Sequence, residues 1–293
     1  MTNQSKITNE FTGKDYLKAK GEIPFGMTND YIFRIVFQRN KYALKGLLCS
    51  ILGLNDDDIV DLKIKNEVKP GVSITDKEYR MDIDVDLNDD TTINLEMQLR
   101  NYGNWQHRSL SYLCREFDSL DHGADYEQVK KTYHISFLDF DLFEYHHEFF
   151  ATYQMRNARD NHLYTDRFNL LVISLNQIEL ATSEDKLNNI DAWAKLFKSK
   201  TWEELKMVAS NNDYMTSAVQ TVYLSNEDKV IAKIARERDE FLRSEAYRDN
   251  LLKEQSATIA EQNTTIAEQN DTIAEQNDTI ARLQAEIESL KNK

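Results

Sequence analysis

MDIDVDLNDDTTINLEMQL, residues 81–99, alternates apolar and polar side chains in two successive arms. Side chains along a strand point to opposite faces in turn, so Met81, Ile83, Val85 and Leu87 share one side and Asp82, Asp84 and Asp86 the other. In the second arm Ile93, Leu95, Met97 and Leu99 are apolar, with Asn94, Glu96 and Gln98 opposite them. Asn88-Asp89-Asp90-Thr91 between the arms has turn chemistry, which predicts an antiparallel hairpin. If both apolar faces enter one core, even positions must align with even positions, and Asp82 falls across from Glu96 or Gln98. Three or four carboxylates then crowd one sheet face, at a cost in repulsion unless a cation compensates. Hard oxygens on two strands could hold Mg²⁺ or Mn²⁺ and leave positions open for water and a phosphate oxygen. The alternation is equally that of a hairpin whose acidic face is simply solvated.

Outward from the hairpin the pattern is that of an α/β protein. Residues 27–54 carry apolar side chains at helical spacing (Phe33, Val36, Phe37, Leu44, Leu47, Leu48, Ile51) and stop at Gly53, predicting one or two helices. Residues 59–100 alternate like strands. Residues 103–121 read as a helix ending before His122-Gly123, and 131–143 and 167–180 read as strands, the second continuous enough in its hydrophobicity to be buried. Residues 184–247 are mostly helical in pattern. From Thr258 the unit TIAEQND recurs every seven residues and sets Ile259, Ile266, Ile273, Ile280 and Ile287 on one stripe, the period of a left-handed coiled coil. Its d positions are Gln262, Gln269, Gln276, Leu283 and Leu290, so the seam is half polar at first and apolar at the end. Such a coil depends on association, making the chain a homo-oligomer through its C-terminal coil.

Composition sets the remaining bounds. No apolar run of membrane-spanning length exists, and residues 1–26 lack the apolar core of a secretory signal, so the expectation is a cytoplasmic protein with no membrane partner. Cys49 and Cys114 both fall in segments read as amphipathic helices and are expected to be buried, reduced thiols. The net charge of −14 argues against tight non-specific nucleic-acid binding, although residues 245–293 alone hold ten acids against five Lys or Arg. His107, His122, His134, His146, His147 and His162 show no metal-ligand spacing and are expected to be structural or superficial.

Several segments in order, MTNDYIFRIVF (27–37), YRMDIDVDLNDDTTINLEMQLR (79–100), WQHRSLSYLCREFDSL (105–120), DYEQVKKTYHISFLDF (125–140), LYTDRFNLLVISLNQIEL (163–180) and IDAWAKLF (190–197), resemble the PD-(D/E)XK nuclease family transposases, the recombination-promoting nuclease group. The likeness runs from about residue 27 to about 245. It implies a restriction-endonuclease-like core, a mixed sheet flanked by helices, followed by a helical region and the coil. The expected divisions are a polar segment at 1–26, the core at 27–180, a helical extension at 181–250 and the coil at 251–293. The resemblance implies Asp82 and Glu96 as catalytic metal ligands for Mg²⁺ or Mn²⁺. Gln98 stands where the wider superfamily more often has Lys; it cannot supply charge or exchange a proton, so its role would be to orient the attacking water or a phosphate oxygen. Asp30 resembles an accessory acidic position, though an Asp at a helix N-terminus is also an ordinary first-turn residue. Arg108 and Tyr112, four apart on one helix face, are candidates for phosphate contact, and equally for a surface ion pair and a core tyrosine. Asp84 and Asp86 share the face of Asp82 but lie outside the family motif.

The implied activity is metal-dependent endonucleolytic cleavage of DNA, two coil-paired protomers offering two sites. The competing reading is a catalytically inactive oligomeric scaffold that binds DNA or protein, to which the acidic balance and the missing motif lysine both point.

Overall fold

In the computed structural model, residues 7–66, 83–118 and 125–291 are described. The chain forms two compact units, Met1–Arg238 and Asp239–Lys293.

The predicted hairpin forms. Strand β2 (Ile83–Leu87) pairs antiparallel with both β1 (Leu62–Ile64) and β3 (Thr91–Gln98). Asn88 and Asp89 turn the corner with φ of 52° and 60°, the left-handed region that short Asx side chains tolerate better than most. Ile83 pairs with Leu95, Asp84 with Asn94 and Asp86 with Thr92, so even faces even as the alternation requires. Helix α3 (Trp105–Phe117) connects β3 to the parallel strand β4 (Lys131–Leu138). β5 (Phe150–Gln154) and β6 (Phe168–Ser174) complete a mixed six-stranded sheet in the order β1-β2-β3-β4-β6-β5, with β6 parallel to β4 and β5 antiparallel to β6.

The two strands expected at 131–143 and 167–180 are shorter than their apolar patterns. Both end where polar groups take over: the Lys198 ammonium meets Asp139 at 2.7 Å, and the Asp141 carboxylate accepts from Asn176 and Gln177 at 2.7 and 2.6 Å. β5 had no counterpart in the sequence reading. Residues 27–54 resolve into two helices, α1 (Asp30–Arg39) and α2 (Lys41–Leu52), broken at Asn40. Asn40 is buried: its side chain caps α2 by accepting from the Ala43 amide at 2.9 Å and donates to Ser217 and Thr221. Gly53 ends α2 at φ 64°, the expected left-handed cap.

The apolar face of the sheet (Ile83, Val85, Leu87, Ile93, Leu95, Met97, Ile135, Phe137, Leu171, Ile173) packs into one large core with α1, α2, α5 (Ile190–Lys198), α6 (Trp202–Ala209) and α7 (Asp213–Glu227). The short α4 (Ser183–Leu187) leads into α5. At the centre Phe33, Phe37, Phe137, Trp193 and Phe197 form a ring cluster with centroids 4.9–6.0 Å apart. The helices after residue 180 thus share the core of the sheet. Each such buried ring is worth about 2–3 kcal/mol, enough to fix which face of the hairpin points inward and so which face carries Glu96. α3 covers the opposite face, where Trp105, Leu138, Ala151 and Val172 make a second, small apolar cluster. Of the two thiols, Cys49 is half-buried, and burial pushes it up to about 11. Cys114 is exposed, against expectation, because it falls on the solvent side of α3 while Ser109 and Leu113 take the sheet side.

Helix α8 (Lys229–Lys291) begins in the first unit, where Ile231 and Ala235 are buried. In the second unit Ile259, Ile266, Ile273, Ile280 and Ile287 are each about half exposed. No helix among the described residues is long and apolar enough to cross a membrane.

Candidate active site on the polar face of the sheet

The parity that buries the odd residues of β2, β3 and β4 places the even ones (Asp84, Asp86, Asn94, Glu96, Gln98, His134, Ser136) under and beside α3. Glu96 is 5% exposed, and a buried carboxylate needs a partner. Arg108, one turn into α3, supplies it: its guanidinium donates to Glu96 Oε1, and through Nη1 to Gln98 Oε1 at 3.2 Å. Arg108 Nε donates to the Tyr112 hydroxyl at 3.2 Å, and the guanidinium lies over the rings of Trp105 and Tyr112, 5.3 and 5.4 Å from their centroids. Four residues singled out from the sequence, Glu96, Gln98, Arg108 and Tyr112, therefore meet in one group. Gln98 is fixed at its other end, its Nε2 donating to the Arg100 carbonyl at 3.0 Å.

Asp82 lies outside the described residues; it is the chain neighbour of Ile83. Asp30 belongs to a different ion pair. It sits in the first turn of α1, and Arg238 of α8 grips both its oxygens, at 2.9 Å to Oδ1 and 2.6 Å to Oδ2. Both side chains are about nine-tenths buried.

The repulsion expected among the face's carboxylates is relieved by protein groups. Asp84 Oδ1 accepts from the Asn94 amide at 2.6 Å. Asp86 faces Lys65 at 3.3 Å and Lys130 at 3.5 Å and accepts from Thr92 at 3.2 Å. Partial burial alone raises the Asp86 carboxyl, but the two lysines and the threonine outweigh it and hold the group below the usual carboxylate range. Lys65 also reaches Glu116 of α3 at 3.6 Å.

His134 was assigned no role from the sequence. It is fully buried on this face, against Trp105 and Tyr112 with ring centroids 6.0 Å apart in each case, and neither ring nitrogen has a hydrogen-bond partner among the described residues. Burial, and then the nearby Arg108 charge, push its pKa down to about 3, so it is neutral at every physiological pH. Its even position on β4, in register with Asn94, is the signal that could have placed it here. Lys65 and Lys130 carry no such signal.

Whether these residues suit a hard divalent ion can be judged from their donors. The side-chain oxygens of Glu96 and Gln98 are hard donors of the type that Mg²⁺ and Mn²⁺ take, and both are engaged by the Arg108 guanidinium. Among the described residues there is no group of three or more His, Cys, Asp or Glu arranged to hold a metal, and Asp82 is not among them. The oxygen donors present, Glu96 and Gln98, are of the kind that suits a hard divalent ion.

The mixed six-stranded sheet flanked by helices, with Glu96 and Gln98 on the polar face of its hairpin, is consistent with the α/β fold of PD-(D/E)XK proteins. The family model of PD-(D/E)XK nuclease family transposases matches residues 27–256, most of the chain, and the chain belongs to that family. No curated protein and no solved structure matches it.

Proposed function

We propose that this chain is a divalent-metal-dependent endonuclease that hydrolyses phosphodiester bonds in DNA, of the transposase-associated, recombination-promoting type. The observation that carries the reading is the meeting of the Glu96 and Gln98 oxygens at the Arg108 guanidinium, on the polar face of the hairpin in a chain of a nuclease family. In this reading Asp82 and Glu96 hold Mg²⁺ or Mn²⁺. The bound ion supplies positive charge beside a phosphate oxygen and lowers the pKa of a coordinated water. Gln98 has no proton to exchange at working pH; held at both ends, its amide orients the attacking water or a phosphate oxygen. Arg108 and Tyr112 present a guanidinium and a hydroxyl on the same face for contact with phosphate, the planar fork of Arg suiting a phosphate better than Lys would. Asp30 acts at a distance, by anchoring the start of α1 to Arg238.

The half-exposed isoleucine stripe of α8 supports a homo-oligomeric coiled coil, which would bring two sites to one duplex. Two free cysteines fit a cytoplasmic setting. A second reading, an inactive oligomeric scaffold, is favoured by the neutral Gln98 and the net charge of −14.

One assay separates them. Plasmid DNA incubated with the purified chain and Mg²⁺ or Mn²⁺ is nicked or linearised if the nuclease reading holds, and remains supercoiled with EDTA, with Asp82→Ala and with Glu96→Ala. Intact plasmid across all metal conditions would leave the scaffold. Nicking that survives both substitutions would place the chemistry elsewhere.

A further inference from the structure

The Glu96–Arg108 pair suggests a role for Arg108 beyond phosphate contact, one that rests on the metal-nuclease reading. We propose that Arg108 is an internal competitor for the metal: its guanidinium holds Glu96 and Gln98 in the metal-free chain and gives up Glu96 when a divalent ion binds.

Three features support this. A buried carboxylate cannot stand uncompensated, and Arg108 supplies an opposite charge. The same guanidinium also takes the Gln98 oxygen through its other terminal nitrogen, so it is seated against Glu96 Oε1, and a divalent ion that coordinates that oxygen has to displace it. Finally, the arginine has somewhere to go. Its side chain is about one-third exposed, against 6% for that of Glu96, and it rests on the faces of Trp105 and Tyr112. It can therefore leave the carboxylate and keep its aromatic support. A monocation and a dication at one carboxylate repel each other in this partly desolvated setting, so the two states exclude one another. The consequence is a site that does not accumulate bare buried charge when empty, and that frees an arginine on the substrate side as it fills.

The test is Mn²⁺ affinity, measured on the full-length chain from the electron paramagnetic resonance signal of free Mn²⁺, without substrate. Arg108→Gln removes the charge and keeps a polar group. It is expected to bind Mn²⁺ about tenfold tighter than the wild type or more, since one close charge contact is relieved. Tyr112→Phe removes the hydroxyl that accepts from Arg108 Nε and keeps the ring. It is expected to tighten binding by about two- to threefold, and it serves as the milder variant should Arg108→Gln not fold. Glu96→Gln is expected to abolish binding. In thermal melts the metal-free Arg108→Gln chain should melt below the wild type, with Mn²⁺ recovering more of the loss than it adds to the wild type. Mn²⁺ affinity unchanged or weakened in both Arg108→Gln and Tyr112→Phe overturns the competitor role while the metal site stands. An absence of Mn²⁺ binding in the wild type and in every variant overturns the metal-nuclease reading and this proposal with it.

Discussion

Mild acid should destabilise the chain through His134. The ring is fully buried, has no hydrogen-bond partner among the described residues and lies beside the Arg108 charge, so the folded state resists protonation down to about pH 3, whereas an unfolded histidine titrates near its ordinary 6.5. Between those values the unfolded chain binds one proton more than the folded chain at this position, and stability therefore falls as the pH falls, by about 1.4 kcal/mol per unit well below 6.5. From pH 7.5 to pH 5.5 the ordinary pKa gives a loss of about 1.4 kcal/mol from this one group, since the penalty only sets in near 6.5. His134→Phe keeps a flat ring between Trp105 and Tyr112 and removes the titration. It also removes two buried nitrogens without partners, an arrangement that ordinarily costs about 1–3 kcal/mol, so the variant should tolerate neutral pH well. Urea unfolding of both proteins at a series of pH values, followed by far-ultraviolet circular dichroism, isolates the effect. Every other titrating group contributes equally to both curves, and the difference between them should open by about 1.4 kcal/mol in favour of the variant between pH 7.5 and 5.5. Parallel curves would refute the reasoning, showing that His134 protonates in the fold as readily as out of it.

Two further outcomes follow from the packing. The Asp30–Arg238 pair is about nine-tenths buried on both sides, so Asp30→Ala should cost about 3–5 kcal/mol in urea unfolding by taking the carboxylate away from a buried guanidinium; adding Arg238→Met should recover part of that, and a double variant no better than the single would deny the coupling. If the proposed coiled coil forms, the wild type should scatter light as an oligomer and a chain with Ile266, Ile273 and Ile280 together replaced by Asn should scatter as a monomer at the same concentration, with the strand signal of the first unit unchanged in circular dichroism; a monomeric wild type would remove the coil from the account.

The hairpin was legible because a strand's side-chain period is two, and burying both apolar faces allows only registers that set even positions against even ones; the parity of Asp84↔Asn94 and Asp86↔Thr92 follows from Ile83, Val85, Ile93 and Leu95, while the turn at Asn88 and Asp89 selects which of those registers forms. The helix cap at Gly53 was legible from local backbone chemistry. β5 was not: Phe149, Phe150 and Ala151 interrupt the alternation, and the strand exists because β6 offers it an edge. The side of α3 on which Cys114 lies depended on packing that no local pattern encodes.

The polar face shows most clearly where sequence reasoning stops. Even-numbered parity brought Asp84, Asp86, Glu96 and Gln98 to one side and raised the question of what neutralises them, with a bound metal as the available answer. The structure answers for the described residues with side chains drawn from other parts of the chain: Lys65 and Lys130 on Asp86, Asn94 on Asp84, Arg108 on Glu96. The three charged pairings follow from no periodicity, because each joins elements that meet only in the folded sheet. They also change the weight of the net charge. The −14 of the whole chain argued against a nucleic-acid partner, yet where Glu96 lies three cations stand among the carboxylates, and part of the excess acid sits in the tail. A phosphate approaching α3 responds to charges within about a Debye length, some 8–10 Å, where the three cations are set against Asp84, Asp86, Glu96 and Glu116, and so to this near-balance more than to the sum over the sequence.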